Sequence, residues 1–138
     1  MTATSSMSGD DYAGLEAWAR LQVRVVLRAH RRLTLRGWEP LNDGASAIEI
    51  LTAEAVSKLR AEMLCSIAIR DLAATLVALS LGKIPDGEGS AWVAQQAEQL
   101  LGHPVRLGPA VAAAIILGYE PLPWDCGQHC LFRERLVR

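Results

Sequence analysis

The nine residues PAVAAAIIL, Pro109–Leu117, carry no polar side chain. A helix of that makeup has no face to give to water, so the rest of the chain must surround it. Proline suits a first helical turn, where its missing N–H is no loss. Gly118 stands where helices stop, because glycine takes the left-handed conformation freely. This one element therefore asks for a fold whose other helices form a covering layer. Composition agrees: 138 residues suit one domain, 51% are hydrophobic, and only 5% are aromatic. The fold class read from this is all-α, a single-domain bundle of four to six helices with one long central helix. It occupies residues 10–138, behind a small polar tail at 1–9 expected to be disordered.

The covering elements follow from periodicity. From about Asp11 to Arg36, Leu15, Trp18, Val25, Val26, Ala29 and Leu33 share one helical face. The alternation in LQVRV and RLTLR also fits a strand, over a shorter run. Ser46-x-x-Glu49 resembles a capping box. A long helix then runs from about Thr52 to Leu81, with Leu64, Ile67, Ala68, Leu72, Leu76 and Leu79 on a broad apolar face. Its Met63–Gly82 portion has the length of a membrane span. Arg70 and Asp71 sit in the middle, where lipid would cost each several kcal/mol, so the segment reads as a buried helix. GKIPDGEGS is a loop, and Ser90 caps a helix that Gly102 ends. The residues from Asp125 onward fit a last helix, with a strand as the alternative.

One phrase recurs: GWEPL at Gly37–Leu41 and GYEPL at Gly118–Leu122. Glycine, an aromatic residue and a following proline make a helix stop. That accounts for every shared residue except the glutamate.

Function is less legible. Net charge is −1, which selects no partner class. Between Arg20 and Arg36, however, there are six arginines and no acid. Arg20, Arg24, Arg28 and Arg31 cluster opposite the Leu15/Trp18/Ala29 face. Val23 and Leu27 lie among them, off the main stripe, and Trp38 is near the helix end. Apolar residues rimmed by Arg and Trp have the composition of an interface core. The expectation is a small, non-catalytic interaction or oligomerisation module, binding a protein or its own copy. Arg20, Val23, Arg24, Leu27, Arg28, Arg31 and Trp38 would form its surface. The start MTATSSMSGDD lacks a basic region and an apolar core, and three cysteines are an odd number, so a reduced cytoplasm is expected.

Two alternatives stand beside it. The same arginines are suited to nucleic-acid phosphates, although no aromatics interleave for stacking. A helix-turn-helix over Val93–Gly118 fails, since the second helix offers no polar groups to base edges. The other alternative is a zinc or thiol site at Cys126, His129 and Cys130, with His103, or else His30 or Cys65, supplying a further ligand. No other cofactor is expected. Asp71, on the apolar side of the long helix, is read as a buried ion pair with Arg32 or Arg36. The chain has no phosphate loop, nucleophile elbow or HExxH motif, so an enzyme is not expected.

Overall fold

The first helix stops seven residues short of where its periodicity points. The computed structural model describes residues 9–39, 53–80, 82–123 and 129–134, and for residues 9–12, 123 and 134 the backbone alone. Helix α1 is Gly9–Ala29. Its last regular bond is His30 N–H to the Val26 carbonyl, and a turn follows through Leu33 N–H to the His30 carbonyl. The RLTLR alternation then prevails as a two-strand hairpin, β1 (Leu33–Thr34) against β2 (Gly37–Trp38). The described part of the first phrase, Gly37–Glu39, therefore belongs to a hairpin and not to a helix stop, and Pro40 and Leu41 lie outside the described residues. Gly37 has φ 105°, a conformation glycine alone takes easily.

The expected long helix is two helices. α2 (Ala53–Ala61) runs into a 3-10 turn at Glu62–Leu64, and α3 (Ser66–Ser80) leaves at a 61° bend. No Gly or Pro marks the break. Cys65 is extended there, its sulfur accepts Ala68 N–H (3.5 Å), and Arg20 donates to the carbonyl of Leu64. A side chain from α1 thus takes the carbonyl at the joint. Among the described residues no single helix is long and apolar enough to cross a membrane.

α4 (Ser90–Leu101) ends at Gly102 in the left-handed conformation, as expected. α5 (Leu107–Ile116) is buried at every residue from Gly108 to Ala114 and packs on α1, α3 and α4. The second phrase does stop a helix: Gly118, φ 101°, follows α5 and leads into β3 (Tyr119–Pro123). β3 pairs antiparallel with β4 (Cys130–Glu134), so the C-terminal segment is a strand where a helix was favoured. Among the described residues the chain is mostly helical, with two short antiparallel strand pairs that an all-α reading does not contain.

The two glutamates now have a reason. Glu39 is buried, accepts Thr34 Oγ1–H (2.8 Å) and lies 3.6 Å from Arg36. Glu120 pairs with Arg133 across β3–β4. In each phrase a positive-φ glycine is followed two residues on by a glutamate held by an arginine, Glu39 just past β2 and Glu120 within β3. The Ser46/Glu49 box, Thr52, Leu81 and Asp125 lie outside the described residues.

Candidate functional site

The face of α1 is turned by about a quarter of the helix from the one expected. Ala19, Val23, Val26 and Leu27 point into the core, Val23 at 0% exposure, while Trp18 is 44% exposed and Leu21 and Val25 are each 60% exposed. The reason lies in the arginines. Flanking guanidiniums made Val23 and Leu27 look solvated, but Arg20 is half-buried and bonds the Leu64 carbonyl along the rim of the core. A long arginine stem can border an apolar face as well as a wet one. Val23 and Leu27 are therefore core residues, not surface. Trp38 is buried too, its ring edge-to-face with His30 at 5.6 Å. Of the expected surface, Arg24, Arg28 and Arg31 are exposed, the first two on α1 and Arg31 in the turn after it.

Rotation leaves a different apolar seam outside. Gly14, Trp18, Leu21 and Val25 step by four, three and four along α1, and all are exposed. At 100° per residue they fall within about 60° of one another. Nothing lies within 4 Å of the position a Cβ would take on Gly14. Arg24 and Arg28 flank the seam on one side. On the other, a groove of about 760 Å³ opens between the C-terminal half of α1 and the α5–β3 junction, lined by Val25, Trp38, Ile115, Ile116 and Tyr119. The aromatic residues of the two repeated phrases, Trp38 and Tyr119, thus both wall this groove. The 4-3-4 spacing was present in the sequence, and the competing stripe masked it.

The C-terminal cluster is a strut. Ser90, fully buried at the start of α4, does not cap its helix. Its Oγ accepts Cys130 N–H (3.0 Å) and lies 3.2 Å from His129 Nδ1, stitching α4 to β4. The Cys130 thiol is 2% exposed, and burial raises its pKa from 9.0 to about 11. Trp38, Ser90 and the Leu122 main chain partly offset that shift. Among the described residues the buried Trp38 indole N–H meets no acceptor at full hydrogen-bond geometry, and it faces this sulfur, a weak acceptor as a thiol and a strong one as a thiolate. A nucleophile or metal ligand needs a thiolate within reach of its target, and this sulfur is neither ionised nor accessible. Because the folded pKa is raised, the stabilisation is complete below pH 9 and is lost as pH rises through 11. About 2–3 kcal/mol is at stake. Urea unfolding across pH 8–11 is expected to show that decline, and Cys130→Val to flatten it.

His103 is exposed, with Nδ1 2.9 Å from the Pro104 carbonyl. Cys126 lies outside the described residues. Among those described, no three His, Cys, Asp or Glu side chains gather as metal ligands. Asp71 is buried, but its partner is Arg106, not Arg32 or Arg36. Its Oδ2 lies 3.5 Å from both the Arg106 guanidinium and the Arg106 backbone N–H. This pair joins α3 to the start of α5. Arg32 and Arg36 instead serve the hairpin, Arg32 donating to the Glu39 carbonyl (2.7 Å).

Compared with protein-family models, curated proteins and solved structures, the chain matches none.

Proposed function

We propose that this chain is a small, non-catalytic protein-interaction module, and that its working surface is the outward seam of α1. The observation that carries the reading is the exposure of Trp18, Leu21 and Val25 side by side on one helix. Each large apolar side chain left in water forgoes about 1.5–3 kcal/mol of burial. Three in register, bordered by arginines and a groove, form the kind of contiguous patch that marks an interaction site. Tryptophan and arginine are also the residue types that dominate binding energy. The proposal keeps the arginine flank expected from sequence and replaces Val23, Leu27 and Trp38 by Trp18, Leu21 and Val25.

A photo-crosslinking amino acid at position 25 tests it, with the exposed Gln99 on α4 as the control site. Illumination in cells is expected to give a discrete protein adduct at 25 and none at 99. Leu21→Asp should abolish that adduct without lowering the melting temperature of dilute protein, since Leu21 faces water in the single chain. Equal labelling at both sites, or no protein adduct at 25, contradicts the reading. A second reading rests on Arg24, Arg28 and Arg31, three exposed guanidiniums in a stretch without acids. It has them on nucleic-acid phosphates, predicts a nuclease-sensitive adduct, and requires binding that weakens steeply with salt.

A further inference from the structure

We infer that the partner on this seam is a second copy of the chain, with the two α1 helices antiparallel across a two-fold axis between Trp18 and Leu21. The inference rests on the interaction reading above and names its partner.

Charge is the first argument. The N-terminal half of α1, Gly9–Ala19, contains Asp10, Asp11 and Glu16 and no base; the C-terminal half, Arg20–Ala29, contains Arg20, Arg24 and Arg28 and no acid. A parallel pair would lay acid on acid and base on base. An antiparallel pair lays each acidic half on a basic half, and a two-fold axis does so twice. The helix dipole accounts for acids in the first turn and Arg28 in the last. It does not reach Arg24, more than a turn from the helix end; Glu16 lies on the opposite side of α1 from the seam and takes no part in the contact.

Spacing is the second. The steps of four, three and four between Gly14, Trp18, Leu21 and Val25 are those of a two-helix seam. Read backward, they are the same. Antiparallel pairing therefore sets Gly14 opposite the partner's Val25 and Trp18 opposite the partner's Leu21, with no residue of the seam unmatched. Sizes match as well. Gly14, with open space at its Cβ position, leaves room for the partner's valine, and the groove beside Val25 gives the partner's tryptophan a recess. The surface needs no other protein to be complete. One helix pair is a modest contact, so an affinity of about micromolar is expected.

Sedimentation of the full chain over a range of concentrations, at low and high salt, tests this. The wild type should pass from monomer to dimer as concentration rises. Val25→Asp should raise the dissociation constant by about tenfold or more. Arg24→Glu with Arg28→Glu should weaken the dimer at low salt by a comparable factor, because attraction becomes repulsion. In a parallel pair the same change only exchanges one repulsion for another. Adding Asp10→Lys and Asp11→Lys to that variant should recover association. Should the fourfold variant lose helix α1, seen as lost ellipticity, a mixture serves instead. The Arg24→Glu/Arg28→Glu chain and the Asp10→Lys/Asp11→Lys chain should associate with each other more tightly than either does with itself.

A wild type that stays monomeric overturns the second-copy inference. So does a dimer indifferent to Val25→Asp or to the charge reversals. If that monomer still gives a protein adduct from position 25, the interaction reading survives with another partner; if it gives none, both fall.

Discussion

Gly108→Ala is expected to unfold this protein at temperatures where the wild type is stable. Gly108 lies in the first turn of α5, and its N–H bonds the Leu35 carbonyl in the β1–β2 hairpin (3.1 Å). A Cβ there would stand 2.1 Å from the Thr34 carbonyl oxygen and 2.9 Å from Leu35 Cα and carbonyl carbon. All three are backbone atoms and cannot rotate away. The hairpin must move off α5, taking with it the buried Leu33, Thr34 and Trp38. Overpacking of this kind costs about 1–3 kcal/mol in a core that can give, and the lost bond and displaced hairpin bring the total to about 3–5 kcal/mol. Small domains hold about 5–15 kcal/mol in all. Helix propensity predicts the opposite sign, since Ala is favoured over Gly in a helix by about 1 kcal/mol. Gly14→Ala, with open space at its Cβ, provides the contrast and should stabilise by about 0.5–1 kcal/mol. Paired urea titrations of the two variants measure both. A neutral Gly108→Ala would mean that α5 does not sit on the hairpin.

The second large effect belongs to Arg60. A helix ends with carbonyls that have no partner in the helix. The carbonyl of Leu27, in the last turn of α1, and those of His30, Arg31 and Leu33, in the turn and strand that follow, all accept from the Arg60 guanidinium, which reaches across from α2; the last three lie at 2.8–2.9 Å. Burial first, and then the nearby Arg31, pull its pKa down, yet a guanidinium stays charged throughout the working range of pH. Arg60→Met keeps the apolar stem and removes every donor, at an expected cost of about 2–3 kcal/mol. Arg60→Lys should recover less than half of it, because a compact ammonium cannot fork across four oxygens. Thermal melts of wild type, Arg60→Lys and Arg60→Met should fall in that order. Equal melting temperatures would show that water satisfies those carbonyls as well as Arg60 does.

Nothing local to Arg60 marks it as a partner for the end of α1, thirty residues away in the chain. The helical content was legible because Ala- and Leu-rich runs with Gly at their ends leave little choice, and the Gly102 and Gly118 stops are local chemistry. The turning of α1 was not. Leu15/Trp18/Val25 and Ala19/Val23/Leu27 are both plausible inner faces, and which one is buried depends on Arg20 meeting Leu64, forty-four residues away. The α2–α3 joint was hidden for the same reason, since α1 holds it open and no residue in the joint announces it. The C-terminal strand needed β3 beside it, and Ser90, a cap by sequence, is claimed by Cys130 and His129. Each miss is a place where a long-range contact outweighed a local preference.

Both the packing of the core and the proposed dimer depend on which side of α1 faces inward. The rates at which Val23→Cys and Val25→Cys react with a thiol reagent, in a Cys65→Ser/Cys126→Ser background and from dilute to concentrated protein, report both. Cysteine at 25 should react quickly when dilute and slow down as protein concentration rises, while cysteine at 23 should remain unreactive throughout. Equal rates at the two positions would contradict that packing, and a rate at 25 that never changes with concentration would contradict the dimer.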